Sequence, residues 1–193
     1  MIIQKNKAFN TLSKAINEQY TKQKTSNTWS GSEFENAVTL KNDYSGKAGE
    51  IFIRDLCKQL KLEHLYDEDK IDENATYDII INRNKVEIKT ARFGESSASF
   101  QHESLRSDGC DLYAFVDILP DTIYLSVFSS NFDYSKKHPI FKRTPHLRKG
   151  TSDVYKFDFG LATVAYGIQH GVTIEINKDT PNKEVEEFIK KVF

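Results

Sequence analysis

The stretch Tyr77-Asp78-Ile79-Ile80-Ile81-Asn82-Arg83-Asn84-Lys85-Val86-Glu87-Ile88-Lys89-Thr90 holds two β-branched runs parted by turn-forming residues. Val and Ile suit a half-buried pleated surface and Asn suits turns, so these residues predict a β-hairpin. Side chains alternate across a strand, which sets Glu87 and Lys89 on one face and Val86, Ile88 and Thr90 on the other. Pairing Ile79 with Ile88 and Ile81 with Val86 buries the apolar face and needs a loop of even length, such as 82–85, or a β-bulge. That register sets Asp78 opposite Lys89, with Glu87 one diagonal step away, and all three project from one face. The other register, with Ile81 facing Asn84, wastes burial and is disfavoured on that ground.

Outward from the hairpin, Ala48, Phe52, Leu56 and Leu60 recur every fourth residue with Ile53 alongside, which predicts a helix over 48–62 introduced by Gly46. Glu50 then stands in its first turn, at the edge of the apolar stripe. Before it come a polar, weakly amphipathic helix over 4–23 and a shorter one over 33–40. After the hairpin, a short helix is expected over 100–106. An apolar strand follows at 112–119, then a turn at Pro120-Asp121 and a partner strand at 123–128. Further β structure is expected over 154–176, and Thr180 and Pro181 suit the N-cap and first residue of a final helix. The order predicts one α/β domain over 1–193, a central mixed β-sheet flanked by helices. Its parts are a helical N-terminal segment (1–45), a core that carries the chemistry (46–128), and a tail of loop, strands and helix (129–193).

Composition bounds the partners. With 193 residues and 38% hydrophobic content the chain can bury one ordinary core. No apolar run reaches membrane-spanning length, and the first residues lack the apolar stretch of a secretion signal. Cys57 and Cys110 are too few for a disulfide scaffold or a zinc site, so reduced thiols in a cytoplasmic protein are expected. A net charge of −1 gives no global support for a polyanionic partner. The charge is segregated, however. Seven acids stand against one Lys between Glu63 and Asp78, and six Lys or Arg with two His and no acid occupy 136–149.

Two carboxylates sharing a face make a hard oxygen site suited to Mg²⁺, with Mn²⁺ as a substitute. Such a cation polarises a phosphate and acidifies a water, while Lys89 can orient that water and offset charge in the transition state. Asp78, then Glu87-Ile88-Lys89, preceded by a helix bearing Gly49-Glu50, resembles the PD-(D/E)XK nuclease superfamily, and within it a type II restriction endonuclease. The matching stretch is 46–128, with Tyr77 standing where the family's eponymous Pro would sit. The resemblance implies a restriction-endonuclease-like fold, Mg²⁺-dependent hydrolysis of double-stranded DNA, and a homodimer. It also implies that Asp78, Glu87 and Glu50 are the metal set and that Lys89 is the catalytic base or water-orienting group. Candidate DNA contacts are Arg92, Gln101, His102, Lys136, Lys137, Lys142, Arg143, His146, Arg148 and Lys149; Lys41 and Lys47 are weaker ones. His138 is expected to touch phosphate or lie exposed. Three other readings stand beside this one: a repair or junction-resolving nuclease of the same superfamily, a non-cleaving DNA-binding module, and a structural protein whose E-x-K strand is a solvated face.

Overall fold

The computed structural model of the chain describes residues 6–23, 31–66, 76–93, 98–106, 108–134, 136–141, 146–147 and 154–193, the pair 146–147 by backbone alone. Among them the chain runs α1 (Lys7–Gln23), a 3-10 turn (Glu35–Thr39), α2 (Asn42–Leu60), β1 (His64–Leu65), β2 (Ile79–Ile81), β3 (Asn84–Arg92) and β4 (Ser99–Arg106). It continues through β5 (Leu112–Ile118), β6 (Thr122–Ser129), β7 (His146–Leu147), β8 (Val154–Gly160), α3 (Leu161–Gln169), β9 (Thr173–Asn177) and α4 (Asn182–Val192). The expected α/β architecture is present as a mixed sheet in the order β1-β2-β3-β5-β6-β9, beside a three-stranded sheet β4-β8-β7. In the larger sheet β3 and β5 are parallel and the other neighbours antiparallel.

One face of the large sheet is covered by α1, α2 and α4. Phe9, Leu12, Phe52, Ile53 and Leu56 from the first two helices and Val185 and Ile189 from α4 pack on Ile79, Val86, Ile88, Val116, Leu125 and Ile176. The other face carries a nearly all-aromatic core, in which Tyr113, Phe115 and Phe128 meet Phe100, Phe141, Phe157 and Phe159. The small sheet supplies most of that second layer.

Several expectations are corrected. Residues 100–106 belong to strand β4, not a helix: Phe100 and His102 are buried while Gln101 and Glu103 are exposed, and an irregularity between His102 and Leu105, with Ser104 at positive φ, shifts the alternation so that Leu105 is the next buried residue. Within 154–176 lies helix α3, despite its Thr, Val and Tyr content. Thr163, Val164 and Gly167 bury its inner face, and tertiary packing overrides propensity. Helix α2 begins at Asn42, with Lys41 as its N-cap, so Gly46 lies inside it and Glu50 near its middle. The final helix has Pro181 at its N-cap position, and the Thr180 hydroxyl accepts a hydrogen bond from the Asn177 amide at 2.9 Å.

His138 is 3% exposed. Its Nδ1 accepts the Ile140 and Phe141 amides at 3.1 and 3.2 Å, and its ring packs edge-on against Phe128 and Phe132. A turn cap, not a phosphate contact, is what this residue provides.

A Cβ built on Gly49 would lie 1.9 Å from Oγ1 of Thr90 on β3. Thr90 is β-branched and short and has little room to swing aside, so Gly49→Ala should lower stability by about 1–3 kcal/mol in urea unfolding. Burial pulls the His138 pKa down to about 4 from the ordinary 6.5. Between those values the unfolded chain binds a proton that the folded chain refuses, so stability should fall as pH drops from 6.5 towards 4. The slope should be up to about 1 kcal/mol per pH unit, less wherever water reaches the ring. Urea midpoints of the wild type and His138→Gln at pH 7 and 5 should differ by this component.

Candidate functional site

The hairpin is tighter than the sequence suggests. Its partners are Ile79 with Val86, Ile80 with Lys85 and Ile81 with Asn84. Asn82 and Arg83 form a two-residue turn, both with positive φ (47° and 72°). A turn of that hand follows the right-handed twist of the strands, and Asn tolerates the left-handed conformation. The expected pairing is therefore corrected by two residues. A slip of two keeps every side chain on its face but changes its neighbour. Burial is not wasted either, because Ile79, Ile81, Val86 and Ile88 are all packed under the helices.

Continued one step, the observed register sets Asp78 beside Glu87 instead of Lys89. The Asp78 amide donates to the Val86 carbonyl at 2.9 Å, and there β2 leaves β3. Past Val86, the edge of β3 that faced β2 has no strand partner among the described residues. The Ile88 amide on that edge donates instead to Asp78 Oδ2 at 2.6 Å, a charge-assisted bond. Glu87 and Lys89 project from one face of β3 and touch each other, with Lys89 Nζ 2.5 Å from Glu87 Oε1 and side chains 23% and 17% exposed.

Electrostatically this is a crowded acid site. Burial first, and then the nearby Glu87 carboxylate, push the Asp78 pKa up to about 7 from 3.8; the Ile88 amide opposes, Glu50 adds to the rise, and Lys89 opposes. Glu50 reaches the site from α2, which the Gly49–Thr90 approach holds against β3. Its Oε2 accepts Lys47 Nζ at 3.2 Å and the Tyr66 hydroxyl at 3.1 Å, and Lys47 also donates to that hydroxyl at 2.6 Å. Burial works against the Lys47 ammonium, but the Tyr66 hydrogen bond and Glu50 outweigh it and raise its pKa. Burial raises the Tyr66 pKa as well, so the phenol keeps its proton at neutral pH.

Tyr66 was not singled out in the sequence. It follows directly on the two-residue strand His64–Leu65, which carries it to the hairpin. That strand pairs His64 with Ile81 and Leu65 with Ile80, and the next step of the register brings Tyr66 level with Ile79, adjoining Asp78.

Among the described residues, no group of three or more His, Cys, Asp or Glu side chains is placed to hold a metal ion. The donor set that the structure does offer is Asp78 and Glu87, with Glu50 near them. Mg²⁺ is commonly held by one or two carboxylates, with waters and substrate phosphates completing its shell, so this set is chemically suited to it. The raised Asp78 pKa comes first from burial and only then from the neighbouring Glu87 and Glu50 carboxylates, and a cation would relieve the second part.

The expected DNA contacts scatter. His102 is 1% exposed, its Nε2 2.8 Å from Asp117 Oδ1 and its ring stacked on Phe115 with centroids 3.7 Å apart. It is an interior residue, and the expectation of a DNA contact is corrected. Arg92 is partly buried and donates from Nη1 to the Ala37 carbonyl at 2.9 Å, joining the end of β3 to the 3-10 turn. Gln101 is exposed on the outer face of the small sheet, where Lys156 lies between Glu103 and Asp158 at 3.8 and 3.5 Å. Lys136 and Lys137 are exposed, and Lys136 pairs with Asp133 at 2.8 Å. Lys142, Arg143, Arg148 and Lys149 lie outside the described residues, as do residues 67–75 of the acidic stretch Glu63–Asp78. His146 is placed by backbone alone, opposite Lys156. Cys57 and Cys110 are free thiols, and burial pushes Cys57 up to about 12. No helix of the described residues is long and apolar enough to cross a membrane.

Compared with known protein families, with curated proteins and with solved structures, the chain matches none.

The burial of Asp78, with Glu87 beside it, predicts a pH dependence in metal-free protein. Between pH 3.8 and about 7 the folded state holds the Asp78 proton that the unfolded state has released. This group therefore withdraws stability as pH rises through that window, by about 1.4 kcal/mol per pH unit at most, and its effect levels off above it. Asp78→Asn should remove the slope and make the protein about 1–3 kcal/mol more stable than wild type at pH 8 in EDTA. Urea unfolding across pH 4–8 checks the sign.

Proposed function

We propose that the protein is a divalent-cation-dependent endonuclease acting on double-stranded DNA, with a restriction-endonuclease-like fold. One observation carries this reading: at the place where β2 leaves β3, a largely buried aspartate and a glutamate stand side by side with a lysine in contact with the glutamate. Such a group is costly to bury in a fold that makes no use of it. Asp78 and Glu87 would hold Mg²⁺, or Mn²⁺ in its place, and Glu50 would add to the negative field. A bound cation supplies Lewis-acid polarisation of a scissile phosphate and a lowered pKa for an attacking water.

This chain's residues would do the rest. The Ile88 amide holds Asp78 by one oxygen, which fixes the direction of the other. Lys89 shares the face of Glu87 and would turn its ammonium to the phosphate once Glu87 takes the cation, orienting the water and offsetting charge in the transition state. The exposed Lys136 and Lys137 would contribute phosphate contacts. The preferred subclass is a homodimeric type II restriction enzyme of the cytoplasm, and the alternative is a repair or junction-resolving nuclease with the same site. A palindromic, sequence-specific cleavage pattern distinguishes the first from structure-selective cutting by the second.

The test is incubation of the full chain with unmethylated phage or genomic DNA, with Mg²⁺ and with EDTA. Mg²⁺ should produce strand breaks that EDTA abolishes, and Asp78→Asn or Lys89→Ala should reduce the rate by about 100-fold or more. Intact DNA across a range of salt and divalent cations would remove the nuclease reading, and retained binding without cleavage would leave a DNA-binding module.

A further inference from the structure

Helix α3 differs from the other three in what it shows to water. Exposed positions elsewhere carry charge: Lys14 and Glu18 on α1, Asp43 and Lys58 on α2, Lys183 and Glu187 on α4. The nine residues of α3, Leu161–Gln169, hold no acidic or basic side chain. Thr163, Val164 and Gly167 are buried, and Leu161, Ala165 and Ile168 share the opposite, exposed face. Leu161 and Ile168 are 46% and 41% exposed, two of the three large hydrophobics left open among the described residues. The apolar face continues onto the sheet. Thr173 of β9 turns to Gly167, which puts Glu175 and its β6 partner Tyr124 on the α3 side. Tyr124 is partly exposed, and so is Phe93; the Phe100 ring joins them, with centroids 6.3 and 5.2 Å away.

Single exposed hydrophobics are ordinary, but a charge-free helix face beside open aromatic rings marks contact with another apolar surface. The spacing on α3 names the occupant. Leu161 and Ile168 are seven residues apart, about 10 Å along the axis, with Ala165 between them. Two such helices packed antiparallel about a twofold set Leu161 of each on Ile168 of the other. The Ala165 methyls at the centre let the axes approach to about 8 Å. A surface with net charge would repel its own copy; this helix face carries none, and Glu175 stands at its rim. One short helix falls below the roughly 800 Å² per partner of a stable interface, and Tyr124 and Phe93 extend it with the aromatic area such interfaces favour. We infer that two copies of the chain associate through the outer face of α3, in an isologous contact centred on Ala165. The inference rests on the homodimer proposed above and names its surface. Helix α3 lies against β6 and β9, at the other end of the sheet from β2, so this contact stands apart from Asp78, Glu87 and Lys89.

Ala165 is exposed, so a long polar side chain there leaves the core untouched. The experiment is analytical ultracentrifugation of the full chain at micromolar concentration, with circular dichroism to confirm folding. The samples are the wild type, Ala165→Arg, Ala165→Glu, an equimolar mixture of those two variants, and Leu161→Gln. The wild type should sediment as a dimer. Each Ala165 variant alone sets like charges together at the axis and should weaken association at least about tenfold. The mixture should regain the dimer, because Arg then faces Glu. Leu161→Gln, which adds no charge, should weaken association about tenfold. A dimer that the Ala165 variants and Leu161→Gln leave intact overturns the α3 surface while the homodimer stands. A mixture of folded variants that stays monomeric overturns the twofold contact. A monomeric wild type removes the surface and the homodimer together, and Mg²⁺-dependent strand breaks by that monomer would leave the nuclease reading in place.

Discussion

The turn at Asn82 and Arg83 decides which charges meet. With both residues in the left-handed region the hairpin closes over two residues, and Asp78 comes to lie next to Glu87. Two acids are then neighbours in a largely buried place, with a single lysine bound to one of them. A looser loop would have paired Asp78 with Lys89 as an ordinary cross-strand ion pair. The local electrostatic excess therefore follows from backbone geometry at two residues that carry none of the chemistry.

The second constraint is the contact between Gly49 and Thr90. It brings α2 close enough to β3 for Glu50, the next residue, to act on the strand edge that β2 leaves uncovered. That edge would ordinarily be a liability. Here the Ile88 amide is satisfied by the Asp78 carboxylate, so one bond both caps the edge and orients a site residue. Lys47 and Tyr66 do the corresponding work for Glu50. Each acid is thus held by a neighbour that is not itself a candidate ligand.

The far side of the sheet serves a different purpose. The connection between the parallel strands β3 and β5 includes β4, which leaves the main sheet and joins β8 over an aromatic core. His102 and Asp117 form a fully buried contact there, against the rings of Phe115 and Phe159. Polar groups so placed are costly unless paired, which ties β4 to β5 in a specific arrangement. Among the described residues, the outer surface of this layer mixes Glu103, Lys156 and Asp158.

Much was determined by the sequence alone. Fourth-residue periodicity located the apolar stripe of α2, β-branched runs around turn formers located the hairpin, apolar runs around Pro120-Asp121 located β5 and β6, and Thr180-Pro181 located the start of the last helix, because each of these signals is local to its own element. The same alternation put Glu87 and Lys89 on one face. Tertiary structure decided the rest. Register was misread because burial was judged between two strands, whereas helices cover all four apolar side chains at once. His102 looked like a surface residue because its partner Asp117 is fifteen positions away, and β4 looked helical because an inward polar residue and a register shift between His102 and Leu105 break its alternation. Tyr66 lies sixteen residues from Glu50 and carries no pattern of its own. Local spacing records what a residue's own element demands; long-range neighbours are set by packing, which no short window of sequence contains.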